Sequence, residues 1–384
     1  MNNIKILINS LGIKDSGGIT VLDKLLDELK NSSYEILIIC NKDENIKKLV
    51  NKYKINSCFE FNILENKGFL HRLYFENIIF RKIIKEREIK LIYNFSGTAQ
   101  FSLRIPQLTK VHNLLFYSRK LDKIYFEKRK YIEWLKQVFL KRFVFHKMIN
   151  QTKYIEVQSN HVKEYISDFI QIDNKVVFEK SDIEIHTELF QKIKKYDFSK
   201  KIKFLYIVGP HFEYLHKNFE DFVKIMMMLK KEDIDFEIVI TLTKEQLHNS
   251  ILWNKSLDTY TKFLGYVSKE DLLKEFKDNT ILISTSIIET LGLHVIEAVK
   301  NGVLTIVPNE KYSLSVYGDN ILTYELFDCN SFRTILRKIT LLSNNEIKDI
   351  ISKNQHYLIK NENTKYQNIV NIFNEILKDK NVQK

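Results

Sequence analysis

Apolar positions along this chain fall into short dense runs separated by longer mixed stretches, and the alternation occurs twice over. In the first half, residues 4–10 (IKILINS), 34–40 (YEILIIC), 58–62 (CFEFN), 91–97 (LIYNFSG), 110–115 (KVHNLL) and 154–159 (YIEVQS) are rich in β-branched and aromatic residues. Such runs mark strands, and continuous apolar ones mark strands buried on both faces. Segments near 19–30, 45–53, 70–88 and 120–150 instead repeat their apolar residues at helical spacing. The second half restarts the pattern, with strands expected at 203–209, 236–242, 262–267, 280–285 and 303–307 and helices near 218–231, 244–250, 269–277 and 292–301. Strands alternating with helices predict an α/β chain of two doubly wound, Rossmann-like domains, each a parallel sheet covered on both faces. A polar run at 192–201 (KIKKYDFSKK) precedes the fresh strand, so the expected domains are 1–195 and 196–364. The amphipathic stretch 366–379 (YQNIVNIFNEILKD) is expected to place a last helix, within 365–384, back across the junction. No solenoid-length repeat or low-complexity tract interrupts this picture.

Composition narrows the function classes. At 384 residues the chain has room for two domains with ample cores. No run approaches the roughly 18 apolar residues of a membrane span, and the opening MNNIKILINS is a strand pattern rather than a signal peptide. Cys40, Cys58 and Cys329 form no CxxC pair and no metal spacing, so a reduced, cytoplasmic setting is expected. A net charge of +12 suggests an anionic partner, although richness in Lys, Ile and Asn with only 3 Pro makes the global figure weak evidence. Its distribution says more. Residues 110–150 hold eleven Lys or Arg against Asp122, Glu127 and Glu133, interleaved with Tyr, Phe and Trp. Within 117–150 the residues Leu135, Val138, Phe139, Arg142 and Phe143 share helical spacing, with Lys136, Lys141 and Lys147 able to reach outward. That segment is expected to touch an anionic membrane surface, placing the protein peripherally on the inner face of the cell membrane. Nucleic acid is a weaker expectation because no recognised nucleic-acid module is present.

Candidate chemistry gathers at strand ends. Gly17 and Gly18 precede the first helix; Gly209 ends the first strand of the second half, and Lys217 and Asn218 open its next helix. Glycine admits close backbone approach, a helix start offers unpaired N–H groups to an anion, and lysine adds a point charge suited to phosphate. Neither half matches GxGxxG or the Walker lysine motif. Glu289 and Glu297 bracket Gly292 where the strand 280–285 gives way to the helix 292–301. Ligands of open parallel sheets bind at that edge. A glycosidase pair is not expected. Eight residues of helix rise about 12 Å, more than the roughly 5–10 Å between glycosidase carboxylates. The DxD at Asp233-Ile234-Asp235 precedes its strand and so stands at the wrong end for a metal-bound sugar nucleotide.

Taken together, the segments DSGGIT (15–20), VGPHFEYLHKN (208–218), the stretch 263–303 around Glu289 and Glu297, and YGDN (317–320) carry a resemblance. The chain resembles the retaining GT-B glycosyltransferases of family 4, the group 1 glycosyltransferases, most strongly over about 203–325. The resemblance implies the GT-B fold, two Rossmann-like domains facing across a cleft, with acceptor binding in the N-terminal domain and nucleotide-sugar binding in the C-terminal one. It implies that Glu297 holds the ribose hydroxyls of the donor, and that Glu289 lies near the transferred sugar. Lys217 and Asn218 would meet the diphosphate, with the backbone around Thr290, Leu291, Gly292 and Leu293 meeting the diphosphate or sugar. Gly17 and Gly18 would line the donor site, and His112, at an N-terminal strand end, would stand near the acceptor or sugar. The donor implied is a UDP- or GDP-sugar, with no metal and no further cofactor. The acceptor implied is a growing surface polysaccharide or lipid-linked glycan. The sequence departs from the family pattern in three places: only His211 follows Gly209 where a cation is frequent, His294 replaces a small residue or proline, and Thr290 replaces glycine. His216 is expected to position its loop rather than to titrate. Two other classes remain compatible with these residues, a GT-B nucleotide-sugar epimerase and a non-catalytic GT-B partner subunit.

Overall fold

A computed structural model describes residues 4–13, 16–65, 68–182, 190–365 and 367–379. The chain forms two compact units, one of residues 1–119, 126–183 and 365–384, the other of residues 120–125 and 184–364. The division at 183/184 has a visible cause. Gln191 N donates to Lys300 O (2.8 Å), Lys194 N to Gly302 O (2.9 Å) and the Tyr196 hydroxyl to Thr280 O (2.8 Å), which draws the polar run into the second unit.

The first unit holds seven strands: β1 (Lys5–Ser10), β2 (Glu35–Asn41), β3 (Phe59–Leu64), β4 (Leu91–Asn94), β5 (Gln107–Val111), β6 (Tyr154–Val157) and β7 (Val176–Glu179). They pair in the order β3-β2-β1-β4-β5-β6-β7, and every pairing is parallel. Successive side chains of a strand point to opposite faces. Accordingly Ile6 and Ile8 join a core with Leu22, Leu26, Ile36 and Ile38, whereas Leu7 joins Leu37, Ile39, Phe80 and Ile92 beyond the other face. The second unit holds β8 (Ile202–Tyr206), β9 (Phe236–Ile240), β10 (Thr261–Phe263), β11 (Thr280–Ile283), β12 (Leu304–Pro308) and β13 (Leu322–Tyr324), in the order β10-β9-β8-β11-β12-β13 and again parallel. Both orders turn back beside the first strand, between β1 and β4 and between β8 and β11. That reversal defines a switch point in each sheet.

Differences from the sequence pattern have local reasons. β7 and β13 are short edge strands without a long apolar run. β5 ends at Val111 because Asn113 caps a 3₁₀ turn, its side chain accepting from Leu115 N at 3.0 Å. The expected helix at 70–88 and the one at 120–150 each contain a π-helical turn, Phe75–Ile79 and Leu135–Phe139, and the latter is also broken at Arg129, whose φ is 55°. Gly17 and Gly18 lie inside the first turn of the helix Ser16–Leu29 rather than ahead of it. The polar stretch before the last helix is itself helical, Asn344–Lys365.

The helix Ile369–Lys378 packs on the first unit. Asn368 caps it, and Ile369, Ile372, Phe373 and Ile376 are fully buried at the i, i+3, i+4, i+7 spacing of one face. Phe373 sets its ring against Tyr34 (6.1 Å between centroids) and Tyr93 (5.6 Å), and Tyr34 Oη donates to Asn374 Oδ1 at 2.7 Å. A network beneath it, in which Lys110 bonds Glu156 and Asp182 (both 2.6 Å) and Lys180 bonds Glu28 (3.0 Å), keeps the charges of the buried sheet paired. Glu28 also accepts from Ile369 N at 3.3 Å. Truncating Phe373 to Ala leaves a cavity against both rings, so urea unfolding should show a loss of about 3–5 kcal/mol. A loss below roughly 1 kcal/mol would show that the helix is a loose appendage.

Candidate active site

Strands β8 and β11 are neighbours, with Thr280 opposite Lys203 and Leu282 opposite Leu205, so their carboxyl ends open side by side at the switch point of the second unit. The loop after β8 passes through a 3₁₀ turn, Leu215–Lys217, and enters the helix Phe219–Lys231 through Asn218, which is left-handed at φ 50°, ψ 42°. Asparagine tolerates that conformation better than most residues. The loop after β11 runs to Gly292, also left-handed at φ 56°, and into the helix Leu293–Lys300.

Hydrogen bonds join the two loops. Thr285 Oγ1 donates to Lys217 O (2.9 Å) and exchanges a bond with Tyr206 Oη (2.8 Å), while Ile287 N donates to His216 O (2.8 Å). Tyr312 Oη holds the second loop from below by donating to Ser286 O at 2.7 Å. With both backbones fixed, Lys217 Nζ donates to Glu289 Oε1 at 2.7 Å. The two side chains are 30% and 14% exposed, so the pair is sheltered yet reachable.

Charge in this pocket is strongly biased. Burial opposes ionisation of Glu289, but the Lys217 ammonium, His294 and hydrogen bonds from Lys217 and Ser286 override it and hold the carboxyl down to about 2. Burial, reinforced by Lys217, pushes the His294 imidazole down to about 4 and His216 to about 3, against the pull of Glu289. Near neutral pH the site therefore contains one carboxylate, one ammonium and two neutral imidazoles. His294 Nε2 lies 3.2 Å from Ser284 Oγ.

Gly292 cannot be another residue without rearrangement. Its φ is left-handed, and a Cβ there would fall 2.0 Å from the hydroxyl of buried Tyr317. The helix that follows carries its first N–H groups ahead of any intrahelical bond, which is the arrangement that attracts anions. Leu291 is buried, so only its backbone is available to a ligand. Glu297 lies on the second turn of that helix with its side chain 31% exposed, paired to Lys269 Nζ at 3.1 Å rather than to the Lys217 charge. Asn218 is buried and directs its amide Nδ2 to Asp221 at 3.3 Å, which ties the end of the loop to the helix that follows. Asp233, Ile234 and Asp235 stand at the amino end of β9, the opposite edge.

The structure thus brings Lys217, Asn218, Glu289, Thr290, Leu291, Gly292 and Leu293 to adjoining loops of one unit, with Glu297 one turn further along the same helix. Gly17, Gly18 and His112 belong to the first unit. There the His112 ring sits 3.5 Å from where a side chain on Gly97 would begin, at the ends of the adjacent strands β4 and β5. Sequence reasoning passed over the hydroxyl residues Tyr206, Thr285, Tyr312 and Tyr317, because each looks like ordinary core or strand material. It also missed a buried cluster at the β1/β4 edge. Arg72 Nε donates to Glu76 Oε1 (2.8 Å), Asn9 Nδ2 donates to the same oxygen (2.6 Å), and Arg72 also bonds Ser96 Oγ (2.8 Å). The Arg72 guanidinium occupies the space over Gly12 that any Cβ would need.

Two parallel sheets of this order, covered by helices, define the GT-B architecture. The chain belongs to the glycosyl transferases of group 1, whose family pattern spans residues 189–381. Among solved structures it is similar to a glycosyltransferase from Rickettsia africae ESF-5, at 16% identity over 99% of this chain and 100% of that one, with a TM-score of 0.65. It is also similar to HepE of Anabaena in complex with UDP, at 13% identity, 96% of each chain and a TM-score of 0.62. WaaG, a glycosyltransferase involved in lipopolysaccharide biosynthesis, matches at 11% identity over 92% of this chain and 95% of that one, with a TM-score of 0.65. No curated protein matches the chain by sequence.

The pocket makes acid stability predictable. His216 and His294 titrate from about 6.5 when unfolded to about 3 and 4 when folded, so their contribution is complete above 6.5 and is lost as pH falls through those lower values. Glu289 contributes fully above 4.5 and loses that contribution between 4.5 and about 2. The thermal midpoint should therefore fall with pH below 6.5, and His294→Gln should flatten the limb between 6.5 and 4. A midpoint with the same acid limb in both proteins would contradict the charge balance described.

Proposed function

We propose that the protein transfers a sugar from a UDP- or GDP-sugar to a surface polysaccharide or lipid-linked glycan, retaining anomeric configuration and requiring no metal ion. The observation that carries this reading is the Lys217–Glu289 pair, 2.7 Å apart at the switch point of the second unit. When a glycosyl bond to a diphosphate breaks, negative charge grows on the phosphate and positive charge on the sugar ring. Lys217 supplies the opposite charge for the first, and the ionised Glu289 for the second; both are held before the reaction begins, which is where electrostatic catalysis is most effective. The first-turn N–H groups after Gly292 add dipoles of the same sense as the lysine. Glu297, with an accessible carboxylate, suits a vicinal diol such as a ribose.

His112 is assigned to the acceptor or sugar side, and Gly17 and Gly18 to close backbone approach by the donor; both roles rest on the family pattern. UDP in the Anabaena structure supports a uridine donor, and the WaaG description supports an envelope glycan as acceptor. A cytoplasmic site of action follows from the same donor, since nucleotide sugars are made there.

Turnover with UDP- and GDP-sugars separates this reading from its competitors. Lys217→Ala should lower kcat/KM by roughly 10²–10³-fold, and Glu289→Ala should lower kcat by a similar factor. Glu297→Ala should raise KM for the donor with a smaller change in kcat. Activity should persist in EDTA, and NMR of the product should show the donor's anomeric configuration. Donor isomerisation without net transfer would indicate an epimerase. Wild-type transfer by a folded Lys217→Ala, Glu289→Ala double variant would falsify the site assignment, and strict metal dependence would overturn the metal-free mechanism.

A further inference from the structure

The buried cluster at the β1/β4 edge of the first unit has no part in the chemistry assigned above. Arg72 stands on the helix Phe69–Tyr74, and Glu76 follows four residues on, inside the π-helical turn Phe75–Ile79. Such turns are frequent at functional sites. Glu76 is wholly buried and Arg72 is 9% exposed. Desolvating two charges offsets most of their attraction, so a buried ion pair is a weak source of net stability. The pair calls for a role beyond holding the fold.

Its bonds show which atom is left over. Glu76 Oε1 accepts from Arg72 Nε (2.8 Å), Asn9 Nδ2 (2.6 Å) and Thr98 Oγ1 (2.5 Å). Arg72 Nη2 donates to Ser96 O (3.1 Å), to Ser96 Oγ (2.8 Å) and to Thr98 Oγ1. Ser96 Oγ in turn donates to Asn9 O at 3.1 Å. Both hydroxyls are therefore engaged within the cluster. Arg72 Nη1 has no hydrogen-bond partner among the described residues, and the side chain keeps 10% of its surface exposed.

The backbone beside Nη1 is bare. In the loop after β1, a Cβ on Gly12 would stand 2.1 Å from that nitrogen and 2.9 Å from Ser96 Cβ. One residue beyond Ser96, Gly97 takes φ 83°, and a Cβ there would meet Lys110 O at 3.3 Å and the His112 ring at 3.5 Å. Gly12, Arg72, Ser96, Gly97 and His112 thus form one row where β1, β4 and β5 end. The switch point of this sheet lies on that row, which is where open parallel sheets take their ligands.

We propose that this row is an oxyanion subsite, in which Arg72 Nη1 binds a carboxylate or phosphate carried by the acceptor. A guanidinium donates and never accepts. With the Ser96 and Thr98 hydroxyls turned inward, the cluster offers the ligand a donor and no side-chain acceptor. A sugar hydroxyl, which both gives and takes a hydrogen bond, is only half matched by it. An oxyanion is fully matched, and its bond to a charged donor is of the stronger kind. Glu76 meets Arg72 through Nε and leaves Nη1 to the ligand. The bonds from Nε and Nη2 hold the guanidinium before any ligand arrives, so little side-chain ordering remains to be done on binding. The anion's place on the acceptor rests on the transferase reading; the binding of an oxyanion at Arg72 does not.

NMR of the full chain labelled at arginine tests the site. The Arg72 Nε–H signal is identified by its nuclear Overhauser contacts to Ser96 and Thr98, which needs no variant. Inorganic phosphate and, separately, acetate are titrated against chloride at matched ionic strength. At least one oxyanion should move the Arg72 signals saturably, with an affinity at least about tenfold above that of chloride. Arg72→Lys keeps the charge but loses the fork, and should lower that affinity by at least about tenfold. No shift at Arg72 with either oxyanion would overturn the proposal, and so would wild-type affinity in a folded Arg72→Lys. Displacement of phosphate from Arg72 by a lower concentration of UDP would give the subsite to the donor diphosphate and overturn the acceptor assignment. Oxyanion binding at Arg72 in a wild-type chain that turns over neither UDP- nor GDP-sugars would overturn the transferase reading and leave the anion site standing.

Discussion

The ion pair between Lys217 and Glu289 is the constraint on which the second unit's site is built. A lysine beside a carboxylate is common; a pair held by two independently anchored loops is less so. Thr285 Oγ1 binds the carbonyl of Lys217 itself and Ile287 N binds the carbonyl before it, so the loops that deliver the two charges are joined at two backbone points. Their side chains have little freedom left. Fixing them beforehand removes the reorganisation that water or flexible side chains would need when charge develops. Burial, with the Lys217 charge added to it, keeps His216 and His294 neutral against the pull of Glu289, so the pocket presents a defined sign at each position over the physiological range.

Most of the architecture was legible in the sequence because buried parallel strands are dense in Ile, Leu and Val and their connecting helices keep a helical period. Ile6, Leu7 and Ile8 must be buried on both faces, and no other arrangement of a short strand does so as well. What escaped were elements that lack that density. β7 and β13 lie at sheet edges, and the helix Asn344–Lys365 is polar over much of its length. The π-helical turns escaped for another reason: an extra residue in one turn leaves no mark in composition, yet it turns Glu76 and Val138 inward.

At the site, glycine and charge were legible while the supports were not. Gly292, Glu289 and Lys217 stand out as residue types at strand ends, and the seven-residue gap to Glu297 adds specificity. Tyr317, pressed against Gly292, and Thr285, bonded to Lys217 O, come from unrelated parts of the chain and acquire meaning only in three dimensions. Asn218 stands out from its position at a helix start, and the fold adds that it is buried and left-handed where the loop enters that helix. The Arg72–Glu76 cluster has the same character, since its partners Asn9, Ser96 and Thr98 meet only where β1 and β4 end together.

Calorimetric titration of UDP and GDP into the wild-type chain, Lys217→Ala and Glu289→Gln tests the central claim most directly. Glu289 and a nucleotide diphosphate would compete for the one ammonium, so their effects should be opposite in sense. The account predicts that Lys217→Ala weakens the bound nucleotide by at least about tenfold, one lost charge-assisted contact. Glu289→Gln should bind it as tightly as the wild type or more so. Equal weakening by both substitutions, or tight binding by Lys217→Ala, would contradict the assignment of that lysine to the diphosphate.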